Sequence, residues 1–176
     1  ALQWQPDNQN GGWYNLKLKI ADKLVFSKVR EALGLSEIMA VASGSAALQP
    51  RLAQFFNALK IPVCEGYGLT ETSPVISVSA AHQKGMLRIG SVGKLLQDVE
   101  VRIAEDGEIL AKGPNVMIGY YKNPEKTSEV LKDGWFHTGD IGEINDGFLK
   151  ITDRKKEMFK TSGGKYVAPQ LIENAM

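Results

Sequence analysis

Residues 66–74 read Gly-Tyr-Gly-Leu-Thr-Glu-Thr-Ser-Pro, and several of their side chains suit contact with a nucleotide. The two glycines that flank Tyr67 let the backbone approach a flat ligand closely, and the tyrosine ring offers a face for a base. Thr70 can hydrogen-bond a phosphate oxygen, and Glu71 can bind Mg²⁺, which prefers one or two carboxylates together with phosphate oxygens. The residue types fit an ordinary glycine-rich connection with a surface acid equally well.

A second segment, residues 133–140, reads Asp-Gly-Trp-Phe-His-Thr-Gly-Asp. A carboxylate at Asp140, at the end of a short strand, could accept both hydroxyls of a ribose, as acids do in dinucleotide-binding folds. Spacing alone favours the other interpretation, in which Asp140 caps a turn and the two aromatic residues lie in the core. His137 has no cysteine, histidine or carboxylate partners at ligand spacing, so we expect no metal there.

A third segment, residues 151–156, reads Ile-Thr-Asp-Arg-Lys-Lys and leaves a predicted strand as a basic cluster. Arginine recognises phosphate through two parallel hydrogen bonds, so Arg154 suits contact with a polyphosphate or a ribose. Without other information, a solvated basic surface is the favoured alternative.

The first half of the chain carries the pattern of a doubly wound α/β sheet, in which ligands lie beyond the carboxyl ends of the strands. The expected elements are a helix over Asp22–Leu33 with Asp22 at its start and Gly34 after its end, a buried strand over Glu37–Ala42, the turn Ser43–Ala47, a helix with Pro50 in its first turn, a strand over Ile61–Cys64 and the turn Glu65–Gly68. Both turns occupy the ligand-binding position.

The pattern changes near Gly90 to short alternating strands joined by Asp-Gly turns, which is a strong hairpin signal. Two hairpins are expected, with turns at residues 105–107 and 145–147, and one short helix begins at Asn123-Pro124. These patterns divide the chain into residues 1–89, 90–152 and 153–176. The second range is predicted to be a small antiparallel β-barrel-like subdomain, and the third is either a C-terminal extension or the start of a further domain that has been cut off.

Charge and hydropathy argue against nucleic acid as a partner and against a membrane-spanning segment. The chain has 21 basic and 20 acidic residues, so no global charge favours nucleic acid. It has no apolar run near the ~20 residues that span a bilayer, its first residues do not resemble a signal peptide, and its single cysteine, Cys64, cannot form an internal disulfide. These features predict a soluble, cytoplasmic protein.

Together, the three segments resemble the motifs of the ANL superfamily of acyl-activating, adenylate-forming enzymes, and they occur in the family's order. The matching stretches are Gly66–Pro74, Gly107–Tyr121, Trp135–Asp140 and Asp153–Glu173, with Ser43–Leu48 resembling the small-residue motif that lines the acyl and adenine pockets. Ser45 stands where many members have glycine. The combination of Asp133–Gly142 with Leu149–Lys156, and the run Asp22–Arg30, are most similar to bacterial long-chain fatty acyl-CoA ligases.

The resemblance implies that residues 1–89 are the second half of an α/β adenylate-binding region, and that residues 153–176 are a hinge and the truncated start of a C-terminal α+β domain. It also implies a role for each matching residue. Tyr67 stacks on adenine, Thr70 contacts phosphate, and Glu71 binds Mg²⁺. Asp140 binds the ribose hydroxyls and Arg154 lies near the ribose and phosphates. The remaining positions implied are Gly44, Ser45, Ala46, Gly66 and Gly68 in the nucleotide site, Lys156 as the hinge about which the C-terminal domain swings, and Lys160 as a lysine used in thioester formation.

The implied reaction converts a fatty acid and ATP into an acyl-adenylate, after which coenzyme A displaces AMP. We expect fatty acid, ATP and CoA as substrates, Mg²⁺ as a cofactor, and an intact enzyme whose function is compatible with peripheral membrane association. The family's phosphate loop and its adenylation lysine do not occur here, so we expect the chain alone to be inactive and prone to self-association. A fatty acyl-AMP ligase and a noncatalytic nucleotide-binding module are the alternatives.

Overall fold

The computed structural model describes residues 2–8, 10–81, 83–155, 159–160 and 166–167, excluding the side chains of residues 8, 159–160 and 166–167. The helices are Gly12–Ala21 (α1), Ser27–Ala32 (α2), Pro50–Ala58 (α3) and Pro124–Val130 (α4), with a π-helical segment at Asp22–Phe26 and 3₁₀ turns at Pro6–Asn8 and Thr70–Thr72. The strands are Val41–Ser43 (β1), Val63–Tyr67 (β2), Ser77–Val78 (β3), Lys94–Leu95 (β4), Glu100–Ile103 (β5), Glu108–Lys112 (β6), Leu131–Lys132 (β7), Trp135–Asn145 (β8), Phe148–Arg154 (β9), Phe159–Lys160 (β10) and Tyr166–Val167 (β11).

These elements form two compact units. Unit 1 comprises Ala1–Gly66 and Ser79–Gly93, and unit 2 comprises the described residues of Tyr67–Val78 and Lys94–Met176. The predicted fold class is confirmed, because a parallel, helix-flanked strand pair precedes a mostly antiparallel sheet. The three predicted domain ranges stay a prediction. Within the part of the chain that the structure describes, no helix is both long and apolar enough to cross a membrane.

The first helix of unit 1 begins ten residues earlier than the pattern indicated. Helical structure runs from Gly12 through the π-helical segment to Ala32, so the prediction that Asp22 starts the helix is wrong. The carboxylate of Asp22 instead pairs with Arg30, at 2.7 Å, and with Lys60. The predicted end is confirmed, since Gly34 adopts a left-handed conformation with a φ of 69°.

The two strands of unit 1 are parallel but displaced from their predicted ranges. Pairing covers only Val41–Ser43 against Val63–Glu65, and β1 is not buried, so the buried strand predicted over Glu37–Ala42 is wrong in both respects. Strand β2 continues to Tyr67 through the predicted turn. Glu65 stays in the ladder because it pairs with Ser43 and exchanges hydrogen bonds with Ser79.

Unit 2 contains an antiparallel sheet in the order β3-β4-β9-β8-β6-β5, with β7 paired to β8. Its buried apolar residues include Ile76, Ile109, Leu110, Ala111, Phe136, Phe148 and Leu149. Both predicted hairpins are confirmed. The helix predicted at Asn123-Pro124 is also confirmed: Pro124 occupies the first turn, and the Asn123 side chain accepts the N–H of Lys126 at 3.0 Å.

Candidate active site

The segment after Tyr67 folds back on itself as a tight loop. A Cβ on Gly68 would lie 1.8 Å from the carbonyl oxygen of Pro74, so only glycine fits this position. The fully buried hydroxyl of Thr72 accepts the N–H of Leu69 at 2.9 Å and lies 3.0 Å from the carbonyl oxygens of Leu69 and Pro74. Thr72 therefore fixes the loop that carries Thr70 and Glu71.

A residue from a distant segment binds the same loop. The side-chain amide of Asn115 donates to the carbonyl oxygens of Thr72, at 3.0 Å, and Val75, at 2.9 Å. Two donors of one amide thus hold both sides of the loop. Sequence reasoning placed Asn115 inside a family motif but assigned it no contact, since its partners lie 40 or more positions away.

Glu71 is held by a tyrosine of unit 2. The Tyr120 hydroxyl donates to Oε1 of Glu71 at 2.8 Å, and the backbone carbonyl of Glu71 accepts the N–H of Met117 at 2.7 Å. Burial and the neighbouring carboxylate raise the pKa of Tyr120, so the phenol stays a donor. Among the residues described, Oε2 of Glu71 has no hydrogen-bond partner.

Asp140 lies in the middle of the eleven-residue strand β8, not at the end of a short strand, and it does not cap a turn. These two predicted positions are wrong, whereas Phe136 is buried as predicted for a core residue, and the assignment of Asp140 to ribose stays a prediction. Strand β8 contains a bulge at this point. Between the pairs Glu108–Ile141 and Leu110–His137, one residue of β6 faces three residues of β8. The bulge interrupts the ladder beside Asp140, and such irregularities often redirect a side chain near an active site.

Asp140 is 8% exposed, and its carboxylate lies between two other predicted site residues. Tyr67 donates its hydroxyl to Oδ2 at 2.8 Å, and Nε of Arg154 lies 3.6 Å from Oδ1. Asp140 and Arg154 are direct cross-strand partners on β8 and β9. Burial and the negative charge of Asp140 raise the pKa of Tyr67 well above its usual value, so this phenol remains a donor.

At the bulge, the buried acid Glu108 binds the residue that precedes Asp140. Glu108 is 5% exposed, its Oε1 accepts the N–H of Gly139 at 2.9 Å, and its Oε2 lies 3.1 Å from Nδ1 of His137 and 2.9 Å from Nζ of Lys155. Burial opposes ionisation, but these hydrogen bonds outweigh it and lower the pKa of Glu108. Sequence reasoning assigned Glu108 to a family motif without a role.

The other predicted site residues of the α/β region lie in unit 1, where the carboxyl ends of β1 and β2 meet. A Cβ on Gly44 would lie 3.4 Å from the carbonyl oxygen of Gly66. Ser45 has a φ of 68°, in the left-handed region that glycine adopts without strain, and it occupies the position where the resembling enzymes often carry glycine. Ala46 follows it in an exposed turn.

Two predicted residues cannot be located in full. Lys156, the predicted hinge, lies outside the described residues, and only the backbone of Lys160, in β10, is described. In the described ranges, no group of three or more His, Cys, Asp and Glu side chains could hold a metal ion. A single carboxylate such as Glu71 fits Mg²⁺ that is bound mainly through substrate phosphates and water.

Glu65, which is buried in unit 1, makes the stability of the fold depend on pH. Burial raises its pKa from the ordinary 4.5 to about 7, and a hydrogen bond from the backbone of Leu48 acts in the opposite direction. Between those two values the folded state keeps a proton that the unfolded state has lost. Stability therefore falls as the pH rises from 4.5 to 7, by about 3 kcal/mol at most.

We expect Glu65→Gln to remove this pH dependence and to raise the melting temperature at pH 8 more than at pH 5. Thermal unfolding of both proteins at several pH values measures the difference, in which the contributions of all other titrating groups cancel. Glu37→Gln, at an exposed position of the same unit, is the matched control. Parallel pH profiles for Glu65→Gln and the native protein would contradict a protonated Glu65.

Comparison with known proteins identifies the family of this chain. The model of the AMP-binding enzyme family matches residues 13–121, and the chain belongs to this family. Long-chain-fatty-acid–CoA ligase FadD15 of Mycobacterium bovis is 43% identical over 180 residues, which cover 100% of this chain and 29% of that protein. Fatty acyl-CoA synthetase A of Dictyostelium discoideum is 44% identical over 172 residues, which cover 88% and 25%.

Solved structures of adenylate-forming enzymes have the same fold as this chain. The o-succinylbenzoate CoA synthetase of Bacillus subtilis, in complex with its acyl-adenylate intermediate OSB-AMP, superimposes with a TM-score of 0.70 at 25% identity. The match covers 86% of this chain and 38% of that one. The chain therefore spans less than a third of the length of the two ligases named above, and two fifths or less of the synthetase.

Proposed function

We propose that the full-length protein activates a long-chain fatty acid with ATP as its acyl-adenylate and transfers the acyl group to coenzyme A, with release of pyrophosphate and AMP. The observation that carries this proposal is the buried Asp140 carboxylate, which lies between the Tyr67 hydroxyl and the Arg154 guanidinium. The names of the two ligase relatives support the choice of fatty acid and coenzyme A.

The nucleotide contacts follow from this geometry. A ribose presents two adjacent hydroxyl donors, and the carboxylate of Asp140 supplies two acceptor oxygens. The Tyr67 hydroxyl binds that carboxylate, and on the resemblance we assign the Tyr67 ring to stacking on the attached adenine. Arg154 supplies a cation beside the ribose and phosphates, and Thr70 supplies a hydroxyl for a phosphate oxygen. The resemblance alone assigns Gly44, Ser45, Ala46 and Gly66 to nucleotide binding.

The reaction proceeds in two displacements. A fatty-acid carboxylate oxygen attacks the α-phosphorus of ATP, the bond to the β-phosphate oxygen breaks, and pyrophosphate leaves with the electron pair. The thiolate of coenzyme A then attacks the acyl carbonyl carbon, and AMP leaves. Mg²⁺, when bound, neutralises charge on the phosphates. Glu71 would bind it through the carboxylate that Tyr120 orients.

The remaining assignments rest on the resemblance alone. Lys156 acts as the hinge between the two half-reactions, and Lys160 takes part in thioester formation. We also infer a cytoplasmic location, where ATP and coenzyme A are available. Peripheral association of the intact enzyme with membranes and self-association of the chain remain predictions from the sequence.

The test is an assay of the purified full-length protein with palmitate, ATP, Mg²⁺ and coenzyme A, in which AMP, acyl-adenylate and acyl-CoA are quantified. We expect stoichiometric AMP and acyl-CoA. Acyl-adenylate that accumulates and does not react with coenzyme A would indicate the fatty acyl-AMP ligase alternative. Nucleotide binding by calorimetry without any turnover would indicate a noncatalytic module, and the absence of both binding and turnover would overturn the proposal.

A further inference from the structure

The side chain of Glu108 fills the bulge that interrupts the pairing of β6 and β8. In a regular ladder, the N–H of a residue such as Gly139 would bind a carbonyl of the neighbouring strand. Here the N–H points to Oε1 of Glu108, at 2.9 Å. The next N–H, of Asp140, is accepted by Thr138 Oγ1 at 3.1 Å. Side-chain oxygens of Glu108 and Thr138 thus accept the two N–H groups at Gly139 and Asp140, in place of carbonyl oxygens of the neighbouring strand.

The carbonyl side of the same residue is held as well. The N–H of Lys155 donates to the carbonyl oxygen of Gly139 at 2.8 Å, and Nζ of Lys155 lies 2.9 Å from Glu108 and 2.7 Å from Asp106. Gly139 has a φ of 75°, a conformation that other residues rarely adopt. Both backbone polar groups of Gly139, the residue before Asp140, are therefore held: the N–H by Glu108 and the carbonyl oxygen by Lys155.

We infer that Glu108 is a positioning residue for ribose recognition, which acts through the Gly139 peptide on the carboxylate of Asp140. The inference rests on the proposed function, because it takes Asp140 as the ribose acceptor. Both carboxylate oxygens of Glu108 are required. One binds the Gly139 N–H, and the other binds Lys155 and faces His137. An amide has a single acceptor oxygen and cannot satisfy both sides.

The test compares binding of ATP and 2′,3′-dideoxy-ATP to the full-length protein by isothermal titration. The second nucleotide lacks the two hydroxyls that Asp140 is assigned to accept. We expect the native protein to prefer ATP by about 100-fold. Glu108→Gln should reduce this preference by about tenfold, with little change in affinity for the dideoxy nucleotide, because Asp140 is no longer held in place. If Glu108 had a purely structural role, Glu108→Gln would lower the affinity for both nucleotides equally.

Glu143→Gln is the matched control. Glu143 lies on β8, as Gly139 and Asp140 do, but it forms an exposed pair with Lys150 and touches neither of them. It should retain the full preference. Thermal unfolding identifies a Glu108→Gln protein that does not fold. In that case Lys155→Met, at a side chain 43% exposed, decides the question, and we expect a smaller loss of preference in the same direction.

The outcomes separate the two proposals. A native protein that binds both nucleotides equally would contradict the ribose assignment of Asp140, and the proposed function with it. A native preference that survives unchanged in Glu108→Gln, or in Lys155→Met where the first variant does not fold, would overturn the role of Glu108 alone.

Discussion

Replacing Glu71 with glutamine should lower the rate of adenylate formation by about 10²–10³-fold in the full-length protein. The change keeps the shape of the side chain and its contact with Tyr120, but it removes the negative charge that we assign to Mg²⁺ binding. Loss of one preorganised electrostatic contact at a reacting centre commonly costs ~2.7–4 kcal/mol in the transition state. Exchange of labelled pyrophosphate into ATP, at several Mg²⁺ concentrations, measures the effect.

Two variants define the specificity of this result. Tyr120→Phe removes the hydroxyl that orients Glu71 while it keeps the charge, so we expect a smaller decrease than for Glu71→Gln. Glu105→Gln, in an exposed turn of the same unit, should exchange pyrophosphate at the native rate. If Glu71→Gln also exchanges at the native rate, Glu71 does not belong to the site.

Replacing Asp140 with alanine should raise the KM for ATP by about 10²-fold and leave the KM for fatty acid almost unchanged. Two ribose hydroxyls lose their acceptor, and an unsatisfied buried group costs ~1–3 kcal/mol. The Tyr67 hydroxyl and the Arg154 guanidinium lose the same partner, which disturbs the site further. Initial rates with each substrate varied in turn give both constants.

A folding effect would raise the KM for ATP and the KM for fatty acid together. The ratio of the two KM values therefore separates a role in ATP binding from a role in folding. Glu143→Ala, three residues further along the same strand and exposed, is the control and should leave both KM values unchanged. Equal increases in the two KM values for Asp140→Ala would assign Asp140 a structural role.

The local parts of unit 2 could be predicted because their signals are local. Asp146 and Gly147 have φ values of 51° and 78°, and a two-residue hairpin turn of this kind requires positive φ at both positions. Aspartate and glycine tolerate that conformation, so the dipeptide identified the hairpin by itself. The residue types of Tyr67, Asp140 and Arg154 predicted a site because they match family motifs, and the structure places their polar atoms together.

The parts that were wrong depend on residues far apart in the chain. The bulge at Asp140 requires the carboxylate of Glu108, which lies 31 positions before the N–H it accepts. The side chain of Tyr120 lies 49 positions from Glu71. The helix start was misplaced because Asp22 can cap a helix, but here it forms ion pairs with Arg30 and Lys60. Short-range patterns contain no information about such partners.

The β8–β9 hairpin has one region that should tolerate inserted residues and another that should not. Asp140 and Arg154 face each other near its open end, whereas residues 143–147 at its tip are exposed. Insertion of one residue into either strand would exchange the two faces of everything beyond it and separate the pair. A peptide tag or fluorescent label inserted between Asp146 and Gly147 would leave the register of the pair intact. This turn is therefore the natural attachment point for a probe that reports on nucleotide binding from outside the site.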